Sequence, residues 1–128
     1  MSKIKIDIRV SDTALSEMFD FVSMYQHETI NTLIQKSMQR YIRAINQGVI
    51  TERETGLEKG DCKIHSKVNE LTVLLFKQTI ESLGFFCLSD AIRASIRHYM
   101  LTEPLNTLKP LRIEKPATGY LIDGKIQY

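Results

Sequence analysis

Lys3, Lys5, Asp7 and Arg9 recur at every second position, and so do Lys63, His65 and Lys67. Lysine and arginine carry positive charge and donate hydrogen bonds, which suits anionic, acceptor-rich surfaces. An ionised aspartate only accepts. The same windows hold a second candidate chemistry. Cys62-x-x-His65 is half of a zinc-binding pattern, with Cys87 and His98 as conceivable completions. That spacing matches no zinc-finger pattern, and residues three apart on a strand point to opposite faces. We therefore expect no metal site and no cofactor. Nor does the chain carry a glycine-rich phosphate loop, a nucleophile motif or a carboxylate cluster outside residues 46–61, so no enzyme is expected.

The elements that position the charged residues follow from what lies between them. Ile4, Ile6, Ile8 and Val10 alternate with the first set, and period-two alternation rich in β-branched residues predicts a strand with one face buried. One strand leaves its backbone donors and acceptors unpaired. The partner comes from an internal repeat. Lys5 and Lys63, Ile6 and Ile64, Val10 and Val68, Ile34 and Ile92, Ser37 and Ser95, and Tyr41 and Tyr99 share one offset of 58 positions. Leu15 with Val73, Met18 with Phe76, Val22 with Ile80 and Met38 with Ile96 keep apolar character at the same offset. An ungapped match of 4–42 against 62–100 reads as a duplication. In the second strand Cys62, Ile64 and Val68 face inward, with Ser66 standing where the first has Ile8.

Each strand is followed by two helical patterns. Ser11 and Asp12 cap the first helix, whose stripe is Leu15, Met18, Phe19, Val22 and Tyr25, with Phe21 off it. Thr29 caps the next, which carries Ile30, Leu33, Ile34, Met38, Tyr41, Ile42 and Ile45 and stops at Gly48. In the second half Asn69 caps a helix over 71–83 ended by Gly84, and a last helix over 88–101 stops at Pro104. The isoleucines, Phe19, Tyr41 and Tyr99 are expected in the core; Arg93, Arg97 and His98 are expected on a solvated helix face. Residues 46–61 are rich in glycine and acidic side chains, have no periodicity, and read as a linker able to span about 50 Å when extended. The segment 104–128 has no counterpart in the first half. Pro110 and Pro116 suggest extended chain, and Asp123-Gly124 a two-residue hairpin turn.

The division expected is a first repeat over 1–45, the linker over 46–61, a second repeat over 62–103 and a C-terminal extension over 104–128. Neither repeat buries enough surface to fold alone. Together their strands pair antiparallel and four helices cover the apolar face. The fold class is mainly α with a two-stranded antiparallel β-ribbon. Of 128 residues 25% are charged and 43% hydrophobic, with a net charge of +2. Bulk charge of that size does not drive polyanion binding, so any such role rests on where the cations lie. No apolar run is long enough to span a bilayer, and the chain opens on a charged strand rather than a signal peptide. Two cysteines without secretory features imply reduced thiols and a cytoplasmic location.

Strand–helix–helix with this polar strand face resembles the ribbon-helix-helix family of DNA-binding proteins. In its tandem single-chain form the order is β-α-α-linker-β-α-α, a pseudo-dimer within one chain, here with an extended or hairpin tail. The resemblance implies a ribbon in the DNA major groove. Lys5, Asp7 and Arg9 of the first copy, with Lys63, His65 and Lys67 of the second, would then read bases. It also implies phosphate held at the start of each second helix, by Thr29 and Asn31 in the first copy. In the second copy the cap falls on Cys87, a poor capping residue, so Ser89 takes the role; Lys3 adds a further phosphate contact. Val68 and Gly84 keep the family's strand-to-glycine spacing, whereas the first copy has Gln26 at the glycine position.

The expected partner is double-stranded DNA, and the expected activity is transcriptional regulation, with self-association on DNA through the C-terminal tail as a further expectation. No membrane partner is expected. The alternative is an antitoxin or relaxosome-type accessory protein whose tail, 109–128, binds a protein. A ribbon centred on residue 7 places Asp7 opposite His65, where the two can bond each other and make binding pH-sensitive.

Overall fold

Lys3–Val10 forms β1 and Cys62–Asn69 forms β2, and the two pair antiparallel from Lys3 opposite Asn69 to Val10 opposite Cys62. This computed structural model describes residues 2–25, 29–113, 122–123 and 125–126, with side chains described for 2–25 and 29–103. Alternation works as the sequence predicts. Ile6, Ile8, Val10, Ile64, Ser66 and Val68 are buried, and the polar residues between them are exposed. The register is symmetric about the pair Asp7–His65, so residues 58 apart hold equivalent places on the two strands.

The helices are α1 (Asp12–Met24), α2 (Ile30–Asn46), α3 (Glu70–Ile80, continued by a 3₁₀ turn at Glu81–Leu83) and α4 (Leu88–Ile113). The predicted caps are in place. Ser11, Thr29 and Asn69 accept hydrogen bonds from the backbone N–H groups of Ala14, Thr32 and Leu71, each satisfying a donor that a helix start leaves unpaired. Gly48 and Gly84 take φ of 78° and 73° beyond their helices, a left-handed conformation glycine adopts without steric cost. The chain is thus mainly helical over a two-stranded antiparallel sheet. Among the described residues no single helix is long and apolar enough to cross a membrane.

One core lies beneath the ribbon, and α2 and α4 form its largest helix pair. Met18, Leu33, Met38, Tyr41, Val68, Phe76 and Ile96 are fully buried. Ser37 and Ser95, 58 apart, are also fully buried; their hydroxyls donate to Leu33 and Ile92 carbonyls within their own helices at 2.7 Å. Small side chains there let the helices approach, and the internal hydrogen bonds remove the cost of burying a hydroxyl.

Four expectations need correction. First, Phe21 is buried at 6% exposure while Phe19 stands out at 56%. Ala14, Met18 and Phe21 make the inner stripe, and Phe21 packs on Tyr25 and edge-on to Tyr99, with ring centroids 4.6 and 6.0 Å apart. Second, the linker is docked, not loose. Ile50 and Leu57 join the core, Leu57 N donates to Arg93 O at 3.2 Å, and Ser11 N donates to Glu58 O at 2.9 Å. Its glycines permit this. A Cβ on Gly56 would lie 2.5 Å from Ala94 N, and one on Gly60 would lie 2.4 Å from Ser11 Cα. Third, α4 runs through Pro104 to Ile113, because a proline removes one backbone hydrogen bond while its neighbours carry the helix on. The boundary drawn at 104 therefore falls inside a helix. Fourth, the short strands β3 (Ile122–Asp123) and β4 (Lys125–Ile126) pair with a shifted, irregular register, not as the regular hairpin expected. The turn residue Gly124, with residues 114–121 and 127–128 of the expected tail, lies outside the described residues.

Candidate nucleic-acid interface

The helices cover one face of the ribbon and leave the other open. On the open face stand Lys3, Lys5, Asp7 and Arg9 from β1 with Lys63, His65 and Lys67 from β2. Register arranges them in rows: Lys5 opposite Lys67, Asp7 opposite His65, Arg9 opposite Lys63. The Lys5–Lys67 and Arg9–Lys63 rows each carry two cations, one from each strand, and Lys3 adds a third at the Lys5 end. Among the described residues no salt bridge engages any of these lysines or Arg9.

The middle row is different. Asp7 Oδ1 and His65 Nδ1 lie 2.5 Å apart, so the two central side chains partner each other across the strands. The hydrogen bond from His65 lowers the Asp7 pKa, and the charges of His65, Lys63 and Lys5 add to the shift. A carboxylate whose pKa falls on folding contributes stability that is complete above its unfolded value of 3.8 and is lost as pH falls through the lower folded value. We expect Asp7→Asn to flatten part of the acid limb. The gap between urea midpoints at about pH 7 and about pH 3 should shrink relative to the wild type.

The edges of the ribbon are closed by side chains from the second helices. Asn31 Oδ1 accepts from Ser66 Oγ at 2.5 Å and from Lys67 N at 2.7 Å. Gln35 Oε1, one turn on, accepts from Asn69 N at 3.1 Å. On the opposite edge Arg93, 58 residues after Gln35, donates to Arg9 O at 3.1 Å and forms an ion pair with Asp90. Arg93 is only 4% exposed, so it is not part of a solvated face. It braces the strand that carries Arg9. His98 is also largely covered, 3.5 Å from Glu54, while Arg97 is exposed as expected. Asn31 has a structural task as well: its side-chain oxygen holds β2, while a phosphate, which only accepts, would call on its Nδ2–H₂ group.

Thr29 keeps its place at the N-terminus of α2, where its Oγ1 accepts from Thr32 N at 3.0 Å. At the start of α4 the Cys87 carbonyl accepts from Ala91 N at 3.3 Å, and the Cys87 side chain is exposed. Ser89 lines a cleft of about 210 Å³ with Arg9, Lys63, Cys87 and Lys59. Lys59 is a residue sequence reasoning missed. It belongs to the linker and reaches this cleft only because the linker docks beside the ribbon. Gln35 and Arg93 were missed too, although their shared place in the 58-residue offset marks them as a pair.

Cys62 and His65 project from opposite faces of β2. The Cys62 thiol instead donates to Asp12 Oδ1 at 2.7 Å, and that bond raises its pKa. Among the described residues no three or more His, Cys, Asp or Glu side chains are grouped to hold a metal ion.

The fold and this face define a class only in structural terms: a mainly helical chain supporting a two-stranded ribbon with a cationic open side. Compared with protein-family models, curated proteins and solved structures, the chain matches none.

Proposed function

We propose that this chain is a sequence-specific double-stranded DNA-binding protein, a tandem ribbon-helix-helix pseudo-dimer acting in transcriptional regulation. The observation that carries the reading is the open ribbon face. It holds five cations, Lys3, Lys5, Arg9, Lys63 and Lys67, in a chain whose net charge is only +2. A two-stranded ribbon has the dimensions of the DNA major groove and presents side chains to base edges.

Lys5, Arg9, Lys63 and Lys67 donate to guanine O6 and N7 or to adjacent phosphates. Asp7 accepts from cytosine N4 through its other carboxylate oxygen while Oδ1 keeps the bond to His65. Lys3 lies at the ribbon's edge and contacts phosphate. The N-termini of α2 and α4, at Thr29 and Ser89, offer backbone N–H groups to phosphates on either side. Lys59 strengthens the α4 side, where Cys87 replaces a good cap. Such contacts fix orientation, and the ribbon reads sequence. Because β1 and β2 differ, the site read is not palindromic.

The test is selection from randomised duplex DNA by the full chain at two salt concentrations. We expect a short asymmetric consensus whose affinity falls steeply with salt, with the slope counting phosphate contacts. Recovery of no consensus would overturn the reading and turn attention to a protein partner of the C-terminal segment.

A further inference from the structure

Two grooves flank the molecule, and residues 58 apart line both. One lies between α1 and α4, about 580 Å³ in volume, and includes Thr13, Glu17, Arg97 and Leu101. The other lies between α3 and α2, about 660 Å³, and includes Leu71, Leu75, Gln39 and Arg43 at the equivalent positions. They sit toward opposite ends of the ribbon, since α1 leaves β1 at Val10 and α3 leaves β2 at Asn69.

Equivalent places carry different chemistry. On the first helix of each pair, Glu17 in one groove stands where Leu75 stands in the other. On the second, Leu101 stands where Arg43 does. All four are exposed, Leu75 at 43% and Leu101 at 58%. The linings extend the contrast: Asp20 and Glu58 join Glu17 in the first groove against one cation, Arg97, and Arg43 is the charged residue that lines the second.

We infer that these two faces bind each other, joining copies of this chain head to tail. Contact between equivalent surfaces about a local two-fold axis sets the first-helix position of one against the second-helix position of the other. Like faces meeting would set Glu17 on Leu101 twice, or Leu75 on Arg43 twice. Each such contact strips water from a charge without pairing it. Unlike faces meeting set Glu17 on Arg43 and Leu101 on Leu75, so acid meets base and apolar meets apolar. Leu71 adds a second exposed apolar side chain beside Leu75. Because the two faces lie on different sides of one molecule, the assembly grows past a dimer, each copy leaving one face of each kind for the next. This inference needs no DNA and stands apart from the function proposed above.

Sedimentation equilibrium of the full chain, free of nucleic acid, tests it from about 10 to about 500 μM. The weight-average mass should climb past that of a dimer, and salt should lower it. Glu17→Arg and Arg43→Glu should each weaken association about tenfold or more. The double variant Glu17→Arg/Arg43→Glu should recover it, because the ion pair is rebuilt in reverse. Thermal melts confirm that each surface variant is folded. A wild type that stays monomeric across the range, as it would if its own C-terminal segment covered a groove, overturns the inference. So do a mass that stops at a dimer, single variants that associate like the wild type, and a double variant that fails to recover.

Discussion

Replacing Lys5 and Arg9 together with alanine should lower affinity for the selected DNA site by about 10²–10³-fold at physiological salt. Non-specific binding should fall far less. The magnitude follows from two lost base contacts, each good one being worth about 1–3 kcal/mol. The register adds a sharper expectation. Lys5 sits opposite Lys67 and Arg9 opposite Lys63, so one β1 residue works at each end of the ribbon. The double variant should relax the consensus at both ends, each end retaining one cation from β2. Lys63→Ala/Lys67→Ala should do the same from the other strand, with a different residual preference because Arg9 alone offers a bidentate fork. Repeating the selection with each variant, and comparing salt slopes, separates lost base reading from lost phosphate contact. If both variants recover the wild-type consensus with unchanged affinity, the ribbon is not the reader.

The parts of this interface that could be read in the sequence are those set by short periodicities. Alternation fixed which side chains of β1 and β2 face out. The central pairing of Asp7 with His65 was also legible, since the 58-residue offset read in the sequence relates the two and the antiparallel register is centred on them. The caps Ser11, Thr29 and Asn69 were legible because capping is local chemistry. What escaped was decided at a distance. In α1 both the Leu15–Met18–Val22 stripe and the Ala14–Met18–Phe21 stripe have helical spacing, and only the position of Tyr99 on α4 selects the second. The linker has no periodicity because backbone contacts and two glycine approaches hold it, not an apolar stripe. Arg93 looks like a surface cation until the unpaired carbonyl of Arg9 at the ribbon edge is taken into account. The second task of Asn31, accepting the edge N–H of Lys67 on its side-chain oxygen, shows only once the two strands are paired. For the linker, Arg93 and Asn31 a backbone group needing a partner draws the residue in.

Tyr41→Ala should be the most damaging single change to stability, costing about 3–5 kcal/mol. Against a total of about 5–15 kcal/mol for a domain, that can be most of the stability available. Tyr41 has no exposure. Its ring meets His98 edge-on at 5.6 Å and packs on Phe76 at 6.2 Å and Phe85 at 6.4 Å. Truncation would open a cavity where α2, α3 and α4 converge. The hydroxyl contributes separately: it donates to Glu54 Oε1 at 3.2 Å and so ties the docked linker to α2. Tyr41→Phe keeps the ring and should cost about 0.5–1.5 kcal/mol for that one hydrogen bond. The two substitutions also differ in their dependence on pH. Burial raises the phenol's pKa well above 10.0, with the charge and hydrogen bond of Glu54 adding to the shift. The folded state therefore keeps a proton that the unfolded chain releases above that value, and stability falls as pH rises past it. Tyr41→Phe removes this contribution, so its urea midpoint should decline less than the wild type's between about pH 9 and about pH 11. A midpoint that falls equally in both would mean that Tyr41 is not the group that resists ionisation. A small loss in Tyr41→Ala would mean that the helices close around the missing ring, and the core would then not depend on this contact.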